Sequence, residues 1–235
     1  MTQLPANANI RNMLLASLAP YEFGQILPML ARVWLAADDK LLCVDETPDF
    51  IYFPESSIVS VMTCTEIGRD CFIGLYGYEG CGGLAALLDA SANANTEVVQ
   101  LAGYANRMTV ANLRDALAAF PSFRSMLLRY VHIFMMQIAY TAFSNGNTRV
   151  EQRLARWLLM YQDRLRGSTL AITHQRLSDI LGVRRSGVTD AVHLLEGRKF
   201  IRAQRGLIDI LDRPSLEALT AGCYGKPEAE YRRLI

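Results

Sequence analysis

The sequence predicts an α+β chain built from an antiparallel barrel or roll, one long helix and a C-terminal helix-turn-helix with a hairpin wing, and three stretches carry that prediction. Residues 40–108 hold short runs rich in Val, Ile, Tyr, Phe and Thr, cut by clusters of Asp, Pro, Gly and Asn, the pattern of short antiparallel strands joined by turns. Residues 123–143 are apolar nearly all round a helix. Residues 172–201 read as two short helices about a tight Gly182 turn, the second running on towards a strand.

Length and composition leave the class open, since 235 residues that are 51% apolar can bury a sizeable core as one large domain or two smaller ones. The net charge of +1 would by itself argue against a polyanionic partner, but it hides an asymmetry. Residues 1–144 hold 8 basic and 13 acidic side chains, and residues 145–235 hold 16 and 10, so the two parts carry −5 and +6. Such a split fits a ligand or dimerisation module joined to a nucleic-acid module.

Cys43, Cys64, Cys71, Cys81 and Cys223 form no C-x-x-C pair and have no His at ligand spacing, so neither a zinc site nor an iron-sulfur cluster is signalled. Their odd number fits free thiols in a reducing compartment. The apolar run at 11–19 is short for a signal peptide and is followed by Pro20-Tyr21-Glu22, and the later run at 131–143 is interrupted by His132 and Gln137 and is too short to span a bilayer. A cytoplasmic protein with no membrane partner is expected.

Taken in order, residues 9–36 carry Leu and aromatic residues three and four apart with Pro20 and Pro28 as breakers, which predicts short amphipathic helices packed on a neighbouring module. Strands are expected at 41–44, 50–53, 58–65, 71–76 and 98–105, with residues 66–69 as a hairpin turn. A symmetric hairpin there would place Cys64 opposite Cys71, as a redox pair or, more in keeping with such positions, as two small buried apolar residues. A short helix is expected at 111–119, and Pro121 suits the first turn of the long one. Phe123, Leu127, Tyr130, Phe134 and Ile138 are expected to meet the same helix of a second subunit, and residues 144–147 to end it as a hinge. A further helix at 148–165 should bury Val150, Leu154, Trp157, Leu158 and Tyr161 and keep Arg149, Arg153, Arg156 and Arg164 on a solvated face.

In the helix-turn-helix, Thr173 is placed to cap a first helix at 175–181, where His174 and Gln175 can position a phosphate. The second helix, 184–196, buries Val188, Ala191, Val192 and Leu195, leaving Arg184, Arg185, Ser186, Thr189, Asp190 and His193 outward, all but His193 near the end that enters a major groove. Arg can take guanine O6 and N7 together, Ser or Thr can bond either partner, and Asp can accept from cytosine N4. Strands at 200–203 and 207–211 about Gln204-Arg205-Gly206 form the wing, with Arg202 and Arg205 free for phosphates.

Four segments together make the chain similar to the Crp/Fnr family of bacterial transcription regulators: residues 53–56 (Phe-Pro-Glu-Ser), residues 150–159, the motif at 181–189, and the tail with Cys223-Tyr224 and Glu230-Tyr231. The resemblance implies an N-terminal antiparallel double-stranded β-roll sensor, jelly-roll-like and of the cyclic-nucleotide-binding type, at 1–119, a long dimerisation helix and hinge at 120–145, and a winged helix-turn-helix at 146–235. It also implies a homodimer on a near-palindromic operator of double-stranded DNA, with RNA polymerase as a further partner. The family's base-reading positions fall on Arg185, Ser186, Thr189 and Asp190, and its phosphate contacts on Thr173, His174 and Gln175.

The departure lies in the sensor. Nucleotide-binding relatives carry a Gly-Glu-x-Ala-Leu segment and, about ten residues on, an Arg that pairs with the cyclic phosphate. The corresponding residues are Gly82, Gly83, Leu84 and Ala85, then Asn93, Asn95 and Thr96, and both charged groups are missing. Cyclic AMP is therefore not expected as effector, no cofactor is implied, and a pocket for another small molecule stays open. A second reading has the chain as a redox or small-molecule sensor acting mainly through a protein partner. An enzyme is disfavoured, because His132, His174 and His193 have no nucleophile or carboxylate at catalytic spacing.

Overall fold

The computed structural model describes residues 10–64, 70–165 and 167–235, with the side chain of Cys64 outside that description. The described chain divides into two compact units, one formed by residues up to 62 with 75–133 and 233–235, the other by the described residues of 63–74 with 134–232. No helix among the described residues is long and apolar enough to cross a membrane.

The first unit begins with two short helices, α1 (Met13–Ala16) and α2 (Pro20–Ile26), which bury Leu14, Leu15, Phe23 and Ile26. Asn12, fully buried, caps α1 through its side-chain oxygen and donates its amide to the carbonyls of Pro54 and Gly80, so the helix is tied to the roll at its first turn. The strands are β1 (Ala31–Leu35), β2 (Lys40–Leu42), β3 (Phe50–Pro54), β4 (Ile58–Cys64), β5 (Asp70–Tyr76), β6 (Thr96–Leu101) and β7 (Gly103–Thr109), with the short helix α3 (Leu84–Leu87) between β5 and β6; residues 63–64 of β4 and 70–74 of β5 are counted with the second unit. They form two antiparallel sheets, β1-β7-β3 and β2-β6-β4-β5, facing a core of Ile51, Phe53, Ile58, Val59, Leu75 and Val99.

Two departures from the sequence reading have physical causes. Residues 31–35, expected within the helical N-terminal stretch, are an edge strand held by β7 from Ala31↔Arg107 to Leu35↔Gly103, and the exposed Trp34 packs edge-on against Tyr104 across that pair. The single strand expected at 98–105 is two strands, because Gly103 lets the chain turn against residues 56 and 57, where any Cβ would come within 2.6 Å of backbone.

α4 (Val110–Ala119), capped by the Thr109 hydroxyl, leads into α5 (Pro121–Asn147), a continuous helix of 27 residues. The hinge expected at 144–147 is helical. Asn147 donates to the Phe143 carbonyl and Thr148 to the Ser144 carbonyl through both its backbone and its hydroxyl, so the polar residues satisfy the last turn rather than interrupt it.

The second unit continues with α6 (Val150–Gln162), β8 (Thr169–Ala171), α7 (His174–Leu181), α8 (Arg185–Gly197), the hairpin β9 (Ile201–Gln204) and β10 (Leu207–Ile210), then α9 (Arg213–Leu219) and α10 (Lys226–Leu234). Its three-stranded sheet has the order β8-β10-β9. Trp157 stacks at a tilt on Tyr161 in the core of this unit.

The solvated face expected for the α6 arginines is a partial misreading, because Arg156 and Arg164 are buried while Arg149 is exposed. The Arg156 guanidinium, 4% exposed, donates to the carbonyl oxygens of Cys223 at 2.8 Å and Gln137 at 3.3 Å. It therefore joins α6 to the long helix and to the C-terminal segment by charge-assisted bonds. Burial lowers its pKa to about 10, with nearby Glu228 opposing the shift, and the side chain stays charged at neutral pH.

Candidate nucleic-acid interface

Each helix of the 172–201 motif is set by local chemistry. The Thr173 hydroxyl accepts from the Arg176 backbone N–H, which starts α7 at His174. Gly182 then takes a left-handed conformation, φ +62, which an ordinary side chain adopts at a cost, and turns the chain so that α8 crosses α7. Leu177, Ile180 and Leu181 from α7 and Val188, Ala191, Val192 and Leu195 from α8 are buried. Burial of those seven side chains fixes which face of α8 is left outside.

On that outer face Arg184, Arg185, Ser186, Asp190 and His193 are exposed and Thr189 is half-buried. Arg184 occupies the position before α8 and makes no side-chain capping bond, so Arg185 and Ser186 open a first turn whose backbone N–H groups that side chain leaves available. The wing is the hairpin β9 and β10 about Arg205-Gly206, in register from Leu207↔Gln204 to Ile210↔Ile201, with Arg202 and Arg205 exposed. Glu196 near the end of α8 accepts from the Ala203 backbone N–H at 2.8 Å, which fastens the wing to the helix. Between them lies a cavity of about 500 Å³ whose lining includes Thr173, His174, Arg185, His193 and Arg205. All five carry hydrogen-bond donors and outnumber the one acid in the lining, Glu196, which is bonded to the Ala203 N–H, so the arrangement suits oxygens of a polyanion.

The phosphate-positioning set is partly engaged within the protein. Thr173 serves as the cap, Gln175 donates to Asp179 at 2.9 Å, and His174 reaches across to α8, its Nδ1 3.1 Å from the Thr189 hydroxyl. Nothing in the sequence spacing marks that last contact, which depends on the crossing of the two helices. The strand β8, which pairs with β10 from Leu207↔Ala171 to Asp209↔Thr169, was also not foreseen. It is three residues long and has no periodicity to read.

In the roll, Gly83, one of the residues expected at an effector pocket, is bonded to a buried acid. Gly83 donates its backbone N–H to Glu97 Oε1 at 3.0 Å, and the Tyr76 hydroxyl donates to Glu97 Oε2 at 2.5 Å. A Cβ on Gly82 would sit 1.9 Å from the Tyr76 oxygen, so the backbone closes directly over this pair. Glu97 is 7% exposed, and burial pushes its carboxyl above the ordinary range while the bonds from Tyr76 and Gly83 oppose the shift. Burial, reinforced by Glu97, also raises the Tyr76 hydroxyl well above its usual value. Asn93 is buried and donates to the Glu46 carbonyl, Thr96 is buried, and Leu84, Ala85 and Asn95 are half-buried. The missed residues are thus Glu97 and Tyr76, and the available signal was an acid set in the apolar strand Thr96-Glu97-Val98-Val99.

The five residues expected to meet a second subunit need correction. Phe123, Leu127, Tyr130 and Phe134 are buried within the chain and Ile138 is half-buried. The exposed face of α5 instead carries Leu128, His132, Met135, Ala139 and Ala142, spaced four, three, four and three apart, with Phe143 beside them. Leu128, Met135 and Phe143 are 41%, 63% and 55% exposed. Hydrophobicity all round the helix concealed which stripe packs inward.

Of the proposed redox pair, the Cys64 side chain and the turn at 65–69 lie outside the described residues, and Cys71 is an exposed free thiol rather than a buried apolar residue.

Residues 152–219 match the family model of the Crp-like helix-turn-helix domain. No curated protein matches the sequence. Among solved structures, the chain is similar to FixK2 from Bradyrhizobium japonicum, with 15% identity over 81% of this chain and 96% of that one and a TM-score of 0.71. It is also similar to the c-di-GMP responsive global regulator CLP of Xanthomonas campestris, with 13% identity over 82% and 99% and a TM-score of 0.66. A transcriptional regulator of the CRP/FNR family from Thermus thermophilus is 19% identical over 82% and 99%, with a TM-score of 0.63. At such identities these likenesses are of fold.

Proposed function

We propose that this chain, which carries a Crp-like helix-turn-helix domain on the fold of Crp/Fnr family regulators, is a sequence-specific DNA-binding transcription regulator that works as a cytoplasmic homodimer. The observation that carries the reading is the outer face of α8, where Arg184, Arg185, Ser186 and Asp190 stand exposed at the end of a helix whose opposite face is fixed in the core. Arg185 and Ser186 read base edges, with Thr189 and Asp190 one turn further on, and Arg202 and Arg205 of the wing take phosphates.

The homodimer forms through the stripe Leu128, His132, Met135, Ala139 and Ala142. Its alternating four and three spacing is the seam of a two-stranded coiled coil. A two-fold axis beside α5 would set two copies of α8 one DNA turn apart, about 34 Å, on a near-palindromic site. The roll does not hold cyclic AMP in this reading. Support comes from Glu97, whose carboxylate already takes the Gly83 N–H, and from the absence of charged residues at 82–85 and 93–96. RNA polymerase is the downstream partner and the chain has no catalytic role.

The test is a salt-controlled gel shift on an operator selected from random duplexes. Arg185→Ala is expected to weaken binding by about 1–3 kcal/mol and to relax selectivity at one base pair. Unchanged affinity and selectivity would remove Arg185 from the interface.

A further inference from the structure

We propose that Thr189 reads a thymine through its methyl group, and that His174 is the positioning residue that turns the methyl towards the groove; this rests on α8 being the base-reading helix. The Thr189 hydroxyl lies 3.1 Å from the Arg185 carbonyl oxygen, one turn back on the same helix, and 3.1 Å from His174 Nδ1 on α7. A carbonyl only accepts, so the hydroxyl proton goes to Arg185. The imidazole then satisfies the second contact with Nδ1–H donating to the Thr189 oxygen, an assignment that follows from the bonding network.

With its proton committed and an N–H bonded to its oxygen, the hydroxyl has nothing to donate to a guanine or thymine acceptor. Two contacts from within the protein hold χ1, which is already stiff in a β-branched side chain. Thr189 is nevertheless half-buried rather than buried, and it shares a helical face with the exposed Arg185, Ser186 and His193. The oxygen keeps one lone pair, and the apolar part left to face a ligand is the methyl. In the major groove the C5-methyl of thymine is the apolar mark that distinguishes one base from the other three, and apolar contact is how a side-chain methyl recognises it. Ser186, exposed and without such a clamp among the described residues, keeps the adaptable hydroxyl role expected of the pair from sequence. His174, expected at a phosphate, is thereby drawn into specificity.

The experiment uses the full chain and the operator obtained by selection. Each thymine in a half-site is replaced in turn by deoxyuridine, which removes only the methyl, and affinities are measured by gel shift at fixed salt. For the wild-type protein one position should lose about fourfold, the value of one buried methyl-sized group. Thr189→Ser, which keeps the hydroxyl and lacks the methyl, should bind both duplexes equally. Thr189→Val, which keeps the methyl, should retain the discrimination, and His174→Ala should reduce it. A thermal melt of each variant confirms that the domain is folded.

Retention of the thymine preference by Thr189→Ser, or its loss in Thr189→Val, would overturn the proposal, because the discrimination would then not come from the Thr189 methyl. Absence of any uracil-sensitive position in a wild-type protein that still selects its operator would also overturn it. A wild-type protein with no sequence preference at all would instead refute DNA readout by α8, a separate outcome from the other two.

Discussion

Replacing Glu97 tests whether the roll is held closed by its own carboxylate. In Glu97→Ala, the Gly83 N–H and the Tyr76 hydroxyl, now bonded at 3.0 and 2.5 Å, lose their acceptor in a site that the Gly82 backbone seals. Each buried donor left alone costs about 1–3 kcal/mol, and loss of the side chain adds a void. Relief of the buried charge opposes these losses, since burial is the largest cause of the raised Glu97 pKa. The net expectation is a loss of about 2–4 kcal/mol at neutral pH. Glu97→Gln keeps an oxygen for Gly83 and offers an N–H to the Tyr76 oxygen, so it should stay within about 1 kcal/mol of wild type.

The pH dependence has a definite sign. Between the ordinary glutamate value and the raised folded value, the folded state binds more protons than the unfolded chain, so the Glu97 contribution to stability falls as pH rises through that window and is level above it. Glu97→Gln lacks this slope and should gain on wild type as pH rises. Urea unfolding of the three proteins from pH 5 to 8 measures both effects. A fully stable Glu97→Ala protein at pH 7, or a Gln-minus-wild-type difference that shrinks with rising pH, would refute the reasoning.

Three other outcomes follow from the same structure. Met135→Glu places a charge on the exposed stripe of α5 and should shift the protein towards monomer in sedimentation velocity without unfolding it, whereas Leu127→Ala, in the buried stripe, should cost about 2–5 kcal/mol in a melt and leave self-association of the folded protein intact. Arg156→Ala strips the Cys223 carbonyl of its guanidinium partner and should lower stability by about 2–4 kcal/mol, seen as a reduced urea midpoint. Thiol labelling of the native protein should modify the exposed Cys71 well before the buried Cys81 and Cys223; Cys81 is further protected because burial raises its thiol pKa.

Legibility in the sequence followed the strength of local signals. The helix-turn-helix was readable to within a residue or two at each end, because Thr173, Gly182 and the apolar spacing of Val188, Ala191, Val192 and Leu195 are contacts between near neighbours in the chain. The wing was readable for the same reason, its two strands being separated only by Arg205-Gly206. The N-terminal strand β1 was read as helix, since its partner β7 lies some seventy residues on and supplies the hydrogen bonds that decide its conformation. Arg156 was read as solvated because a guanidinium is ordinarily exposed. Its burial depends on carbonyls of residues 137 and 223, neither near it in sequence.

The sequence alone determined the order of modules, the polarity of each end of the chain and the residue types offered on α8, all of which follow from composition, capping and periodicity. Tertiary structure decided which stripe of an all-apolar helix is left exposed, whether the Thr189 hydroxyl is free, and what occupies the Gly83 N–H in the roll. Each of these is a contest between a solvent or ligand contact and a distant part of the same chain, and only the three-dimensional approach of His174 to Thr189, or of Glu97 to Tyr76 and Gly83, settles which partner wins.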